Sequence, residues 1–291
     1  MNTARTRFLN PQLSQLLVLS LLMILLYYPT FHMFLYDWSH DDNYSHGFLV
    51  PFISGYLVWT KRKKLARLSP QLCWSGLPVL LTGLAMYVVG TIGVEWFLRR
   101  FSLVIVIAGL VLYLYGKAFF RELLFPIVFL AFMVPVPAII YKGIAFQLQL
   151  FVSIISAKLI PLAGVALYRE GNILYVSTGP LAVEEACSGM RSIMALLALS
   201  SLFAYLMYES RLKQWILTIF ALPIAVITNI IRVTVTGIMA HYWGKEFAEG
   251  ILHESFGWMV FVIAFILLYL LSRALDLLIP STPTKHTKTS P

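Results

Sequence analysis

The sequence predicts an all-α, polytopic membrane protein of about eight transmembrane helices, with a small extracytoplasmic helix/hairpin insert. Of its 291 residues, 59% are hydrophobic and only 12% are charged, whereas soluble domains run at roughly 45–50% apolar and about 25% charged. Mean hydropathy is +0.81, too apolar for a chain whose surface must meet water. The charges are bunched between apolar runs rather than spread along them, so the net charge of +9 reads as orienting lysine and arginine in cytoplasmic loops. No nucleic-acid partner is expected.

A span needs about 20 apolar residues. The first expected span covers 13–35, behind a cytoplasmic N-terminus (1–12) with Arg5 and Arg7; it lacks a cleavage site and reads as a retained helix. A polar loop with Asp37, His40, Asp41, Asp42, Tyr44 and His46 follows. The second span starts near Gly47 and stops at the run Lys61-Arg62-Lys63-Lys64, which places the N-terminus inside and the Asp/His-rich loop outside. Further spans are expected at 77–97, 101–116 and 123–141, with Lys117 and Arg121 at an inside turn. Arg99 and Arg100 then fall outside, where they snorkel or pair with Glu95.

From 142 to 185 the pattern is too broken for a simple span, and this stretch reads as an insert on the outer face. Gln147, Gln149, Ser153, Ser156 and Lys158 make 143–160 an amphipathic interfacial helix. Two short β-prone runs around Glu170-Gly171-Asn172 read as a hairpin. Three last spans follow at 192–208, 215–238 and 255–271, with Arg211 and Lys213 at an inside turn. The transmembrane domain thus covers 13–279, and a Pro/Ser/Thr/Lys-rich cytoplasmic tail, 280–291, is expected to be disordered.

This topology brings Cys187, Arg232 and His253, from three different segments, to one face of the membrane. A thiol, a guanidinium and an imidazole together can attack a carbonyl, hold an oxyanion and protonate a leaving group. Cys187 precedes the sixth span, where Ser188-Gly189 opens a helix whose N-terminus favours a thiolate. Arg191 lies one turn on. Arg232 stands about 25 Å along the seventh span, near the edge of the hydrocarbon core, with Asn229 at i−3 to orient it. His253 opens the last span beside Glu254, and Glu184 and Glu185 precede the cysteine; any of these carboxylates can hold a histidine in one tautomer. Cys73 and Cys187 lie several spans apart, so neither a structural disulfide nor a zinc site is expected. His46 is the second candidate histidine, and with Tyr44 it is placed at a substrate entrance. The two histidines and three aspartates of that loop match no strong metal motif.

Two other classes compete with this reading. A transporter or flippase for polysaccharide or lipid-linked intermediates would hold an anionic substrate on Arg232. It calls for an inverted repeat with broken helices; no clear repeat is visible, although Pro135, Pro137 and Pro223 are candidate breaks. A CAAX-type membrane protease would need arginine where Gly189 follows Glu184-Glu185.

Glu185-Ala186-Cys187-Ser188-Gly189-Met190-Arg191-Ser192 resembles the cysteine motif of the exosortase/archaeosortase family. Asn229-Ile230-Ile231-Arg232 resembles its N-x-x-R element, His253 with Gly257 its H-x-x-x-G element, and Tyr44 to Pro51 the segment leading into its second span. The resemblance covers about residues 14 to 275 and implies a multi-pass enzyme of the bacterial inner membrane. Its implied substrates are membrane-anchored proteins with a C-terminal sorting signal of the PEP-CTERM type, cleaved on the periplasmic side and passed to an acceptor, in organisms that make extracellular polysaccharide. By analogy with sortases, whose fold is unrelated, Cys187 is the implied nucleophile of a thioester mechanism, Arg232 the oxyanion stabiliser and His253 the acid/base. In some relatives an arginine fills the third position. Membrane lipids are further partners, and no cofactor is implied.

Overall fold

The computed structural model describes residues 11–183, 190–244 and 251–278, with side chains described from 17 and, in the last helix, from 259. The chain divides into two compact units, Met1–Val136 and Pro137–Pro291. Among the described residues, six stretches are long and apolar enough to cross a membrane: Leu17–His40, Trp96–Met133, Ala138–Ala163, Met190–Met207, Arg211–Trp243 and Met259–Leu278. The remaining expected spans are shorter helices.

In the first unit, α1 (Pro11–His40) leads through a 3-10 turn (Asp42–Phe48) into α2 (Leu49–Thr60), and the basic run continues as the short α3 (Arg62–Leu65). Then come α4 (Gly76–Ile92) and α5 (Trp96–Phe129), which ends in a 3-10 turn, Leu130–Met133. The expected spans 101–116 and 123–141 form one stretch, interrupted where the backbone at Gly116 leaves the helical region (φ 85°, ψ −178°), just before Lys117. Only glycine adopts such a conformation without strain. The carbonyls left without helical partners before the break are satisfied from outside: Cys73 N–H donates to Tyr113 O (2.9 Å) and Gln71 N–H to Tyr115 O (3.3 Å). The stretch stops at Met133 instead of running to 141, because Pro135 and Pro137 follow and Val134 is extended.

Glycines at a seven-residue interval, Gly76, Gly83 and Gly90, let α4 lie directly on α5. A Cβ at Gly76 would fall 2.2 Å from Tyr113 N, and one at Gly90 would fall 2.6 Å from Arg99 N. Small residues allow this close approach between membrane helices. α1 joins the pair through Tyr27 Oη and Ser102 Oγ (2.9 Å) and through Arg99 Nε, which donates to Thr30 Oγ1 (3.2 Å). Arg100 forms an ion pair with Asp37, not with Glu95. Glu95 instead caps α5, accepting from Leu98 N–H at 2.6 Å.

In the second unit, α6 (Ala138–Leu159) ends in a 3-10 turn (Ile160–Ala163) and feeds a three-stranded antiparallel sheet. Its strands β1 (Leu167–Glu170), β2 (Ile173–Val176) and β3 (Gly179–Ala182) pair in sequence order, with Leu167 opposite Val176 and Val176 opposite Gly179. Three helices complete the unit: α7 (Met190–Met207), α8 (Arg211–Trp243) and α9 (Ile251–Leu278). The expected hairpin is present and gains a third strand. The expected interfacial helix is longer than 143–160, and its polar stripe is divided. Gln149, Ser153 and Ser156 are buried, while Gln147 and Lys158 are exposed alongside Ile144, Phe146 and Phe151. Pro223 lies inside α8, which continues through it.

Candidate active site

Arg232 and Asn229 stand where the spacing in the sequence puts them, one turn apart on the inward face of α8. Arg232 is 8% exposed and Asn229 is 1% exposed. Successive turns of this face (Ala221, Ala225, Thr228, Arg232) carry small residues until the guanidinium, which leaves room for it inside the helix cluster. A buried arginine is retained in a membrane helix only when it faces protein or a water-filled cavity.

Beyond Arg232, α8 packs against the sheet. Val233 and Ala240 share a core cluster with Val152 and Ile160 of α6 and with Leu174, Val176, Leu181 and Val183 of the sheet. Hydrogen bonds fix the same contact: Thr178 Oγ1 donates to Ala240 O (3.0 Å), and Ser177 Oγ lies 2.7 Å from His241 Nδ1. Tyr242 Oη donates to Ala163 O at 3.1 Å.

Strand β3 delivers the chain to Val183, which is buried at 2% exposure and bonded through its N–H to Asn172 O at 2.9 Å. Glu184, Glu185, Cys187 and Ser188 lie outside the described residues. The chain resumes at Met190, buried at 4% exposure as the first residue of α7, with Arg191 half-buried beside it. The candidate nucleophile, Cys187, falls in the sequence between these two buried residues. The backbone of His253 lies in the first turn of α9, while its side chain and that of Glu254 are outside the description.

Tyr44 and His46 belong to the first unit. Tyr44 is buried, with Oη donating to Val136 O (3.4 Å), and burial pushes its phenol up to about 12. Burial likewise pulls the His46 imidazole below its usual value, against weaker opposing contacts with the backbone of Phe132 and Asn43. Both side chains knit their turn to the end of α5. Among the described residues, no three His, Cys, Asp or Glu side chains converge as a metal site would require. The described cysteine, Cys73, sits near Ser75 (Sγ–Oγ 3.1 Å), whose hydroxyl is the main cause lowering its thiol.

Sequence reasoning missed a polar frame around this site. Asn172 Nδ2 donates to Gln149 Oε1 and to Val183 O, each at 3.3 Å, and Ser153 Oγ donates to Gly171 O at 3.1 Å. Ser156 Oγ donates to Ile230 O (3.5 Å) and accepts from Thr234 Oγ1 (3.2 Å). The available signal was the 149/153/156 interval, which places three polar side chains on one helical face.

The model of the family described as transmembrane exosortase matches residues 38–270, which contain all of the elements above except most of α1, of which only 38–40 are included, and the end of α9. No curated protein and no solved structure matches the chain.

Proposed function

The chain belongs to the transmembrane exosortase family, and on that premise we propose that it is a cysteine protease/transpeptidase of the bacterial inner membrane. It cleaves C-terminal sorting signals of the PEP-CTERM type from exported, membrane-anchored proteins on the periplasmic side. The observation that carries the reading is the buried Arg232, held on α8 beside the sheet that leads directly into the Cys187 segment.

The Cys187 thiolate attacks the scissile carbonyl carbon, and the electron pair of the C=O bond moves onto oxygen. Arg232 steadies that oxyanion. As the tetrahedral centre collapses, the C–N bond breaks and His253 protonates the departing amine, leaving a thioester on Cys187. Water or an amine acceptor then attacks the thioester and gives up its proton to His253, and the C–S bond breaks with release of the Cys187 thiolate, which restores the starting state. Thioesters favour aminolysis where water is scarce, so a site at the membrane edge biases the enzyme toward transfer. Glu185, Ser188, Arg191 and Asn229 support the three reacting groups, and Tyr44 with His46 belongs to the substrate approach.

Charge supports the orientation. Lys61 and Lys64 both pair with Glu122 (3.4 and 2.7 Å), so the basic run and the Lys117–Arg121 region share one level of the first unit, which the positive-inside rule assigns to the cytoplasm. Arg211, Lys213 and Arg273 occupy the cytoplasmic ends of α8 and α9 by the same rule, so the sheet packed on residues 233–241 is periplasmic. α6 then begins and ends on the periplasmic side, lying at the interface rather than crossing.

The test is processing of a tagged protein bearing a Pro-Glu-Pro-type C-terminal signal, co-expressed with wild type or Cys187→Ala. The wild type is expected to produce a mobility shift that Cys187→Ala abolishes at equal expression. Processing that survives the substitution would remove Cys187 from the chemistry.

A further inference from the structure

The two outer edges of the sheet are built differently. Strands β1, β2 and β3 pair in that order, so β1 and β3 each have one side without a neighbouring strand. Two-residue turns, Gly171-Asn172 and Ser177-Thr178, join them. In an antiparallel ladder, opposed residues alternate between pairs that exchange both backbone bonds and pairs that exchange neither. With these turns, Glu170–Ile173 and Tyr168–Tyr175 are the bonded pairs of β1 and β2, so the N–H and C=O of Leu167 and Arg169 face outward. By the same count the outward groups of β3 are those of Pro180 and Ala182, a series that the Val183 N–H bond to Asn172 O fixes. Proline has no N–H and is one of the residues with which proteins blunt an exposed edge. The β3 edge is blunted in this way and the β1 edge is not. Among the described residues, the backbone N–H and C=O of Leu167 and Arg169 have no hydrogen-bond partner, and neither residue is buried.

An edge of this kind pairs with an extended peptide, whose alternate residues supply the N–H and C=O. Residues directly opposite each other carry their side chains on the same face. Leu167 and Arg169 share the face turned toward the core of α6 and α8. Tyr168 stands on the other face, 66% exposed, with the Tyr175 ring 6.0 Å away. Arg169 donates to Gly171 O at 2.5 Å, and among the described residues no carboxylate pairs with it. A guanidinium has five donors, so Arg169 keeps others for an anionic side chain on the opposite strand.

These features set a register. An antiparallel peptide with an acidic residue opposite Arg169 exchanges both backbone bonds there and adds a cross-strand ion pair. The residues before and after it lie opposite Glu170 and Tyr168. Their nitrogens turn away from β1, so proline fits at both places, and the second proline meets the Tyr168 ring. The residue after that lies opposite Leu167 and uses its own N–H.

We propose that the free edge of β1 is the recognition strand for the substrate's sorting signal, with Arg169 reading its acidic residue and Tyr168 a flanking proline. This rests on the proposed function, whose Pro-Glu-Pro-type signal has the acidic residue and the alternate prolines that the edge admits. The sheet's core face packs on Val233, the residue after Arg232, so edge and guanidinium belong to one unit.

The experiment uses full-length Cys187→Ala protein in lipid nanodiscs, which binds without turnover. The probe is a fluorescein-labelled peptide containing Pro-Glu-Pro-Ala, titrated by anisotropy beside two versions with N-methyl-Glu or Gln at the central position. N-methylation is expected to weaken binding about tenfold or more, because it removes the N–H that Arg169 O accepts. Gln is expected to weaken it about tenfold against Arg169 and less than about twofold against Arg169→Gln, as a direct pair requires. Arg169→Pro, which copies the arrangement at Pro180, should abolish binding, and Tyr168→Ala should weaken it severalfold. The amides of Leu167 and Arg169 should exchange rapidly in the free protein and slowly with peptide bound.

Equal affinity for the N-methylated peptide, or an equal Gln effect in both proteins, overturns the assignment. So does slow exchange at Leu167 and Arg169 without peptide, which would mean that a second copy or lipid covers the edge. Should Arg169→Pro not fold, the N-methylated peptide decides on the unaltered edge. The tagged reporter separates the two readings. Processing by wild type without saturable peptide binding overturns the edge alone, whereas absence of both overturns the substrate reading and the edge together.

Discussion

A guanidinium at the centre of a membrane helix costs at least about 2.5–3.5 kcal/mol on insertion scales and less toward its edge, and Arg232, toward that edge, is buried on α8 with Asn229 one turn below. Its assigned work is to hold an oxyanion, so Arg232→Gln should lower the single-turnover processing rate by about 10²–10³. Arg232→Lys should recover part of that loss, because the charge remains while the planar fork is gone. A wild-type rate in Arg232→Gln would refute the assignment. Lys213 makes a contrasting case. It is 1% exposed and donates to Asp276 Oδ1 at 2.8 Å, with the Tyr208 ring 5.0 Å away. Asp276→Asn takes the carboxylate from a buried ammonium, whereas Lys213→Met leaves an apolar chain in the core and a carboxylate 39% exposed to solvent. Removing one partner of a buried pair costs up to about 3–5 kcal/mol, and the exposure of Asp276 discounts that figure. Thermal unfolding in detergent should therefore rank Asp276→Asn well below Lys213→Met; the reverse order would mean that the pair contributes nothing.

The α4–α5 pair depends on atoms that are absent. Gly76 faces Tyr113 N and Cα, which are backbone atoms that cannot swing aside as a side chain can. Gly76→Val should force the helices apart at a cost of about 1–3 kcal/mol, or roughly 2–10 °C in the unfolding midpoint. Gly55→Ala, which meets nothing within 4 Å, should leave the midpoint unchanged or slightly raised. Equal midpoints for both variants would show that the close approach carries no stability. α6 teaches a related point about elements. Its polar residues were legible as a stripe, but a stripe on a membrane-associated helix suits either a water-facing surface or a polar interior. Only the placement of the sheet and α8 turned Gln149, Ser153 and Ser156 inward.

At the scale of the whole molecule, the crossings decide where the chemistry happens. Under the orientation proposed from lysine and arginine, Cys73 would face the cytoplasm and both ends of α6 the periplasm. Cysteines introduced at Lys142 and Ser177, each in a Cys73→Ser/Cys187→Ser background, should react with a membrane-impermeant maleimide in cells whose outer membrane alone is permeable. The native Cys73, in a Cys187→Ser background, should react only after the inner membrane is opened. Labelling of Lys142→Cys and Ser177→Cys from opposite sides would show instead that Ala138–Ala163, which is long and apolar enough, crosses the bilayer.

The sequence by itself determined the class, the places of most helices and the three motifs. Hydropathy and spacing are local properties, and a bilayer imposes its thickness on every span independently. It also placed Arg232 and Asn229 on one face, because a helix repeats every 3.6 residues wherever it sits. Other features needed the fold. The sequence offered Arg100 only Glu95 or snorkelling, and the packing of α1 against α5 gave it Asp37 instead. Two expected spans became one interrupted stretch because carbonyls before Gly116 find donors in a segment some forty residues earlier. The third strand and the bonds from α6 through Asn172 to Val183 arise likewise from residues distant in the chain. Such contacts depend on which surfaces meet, and that is settled only when apolar faces, buried polar groups and backbone donors are satisfied together in three dimensions.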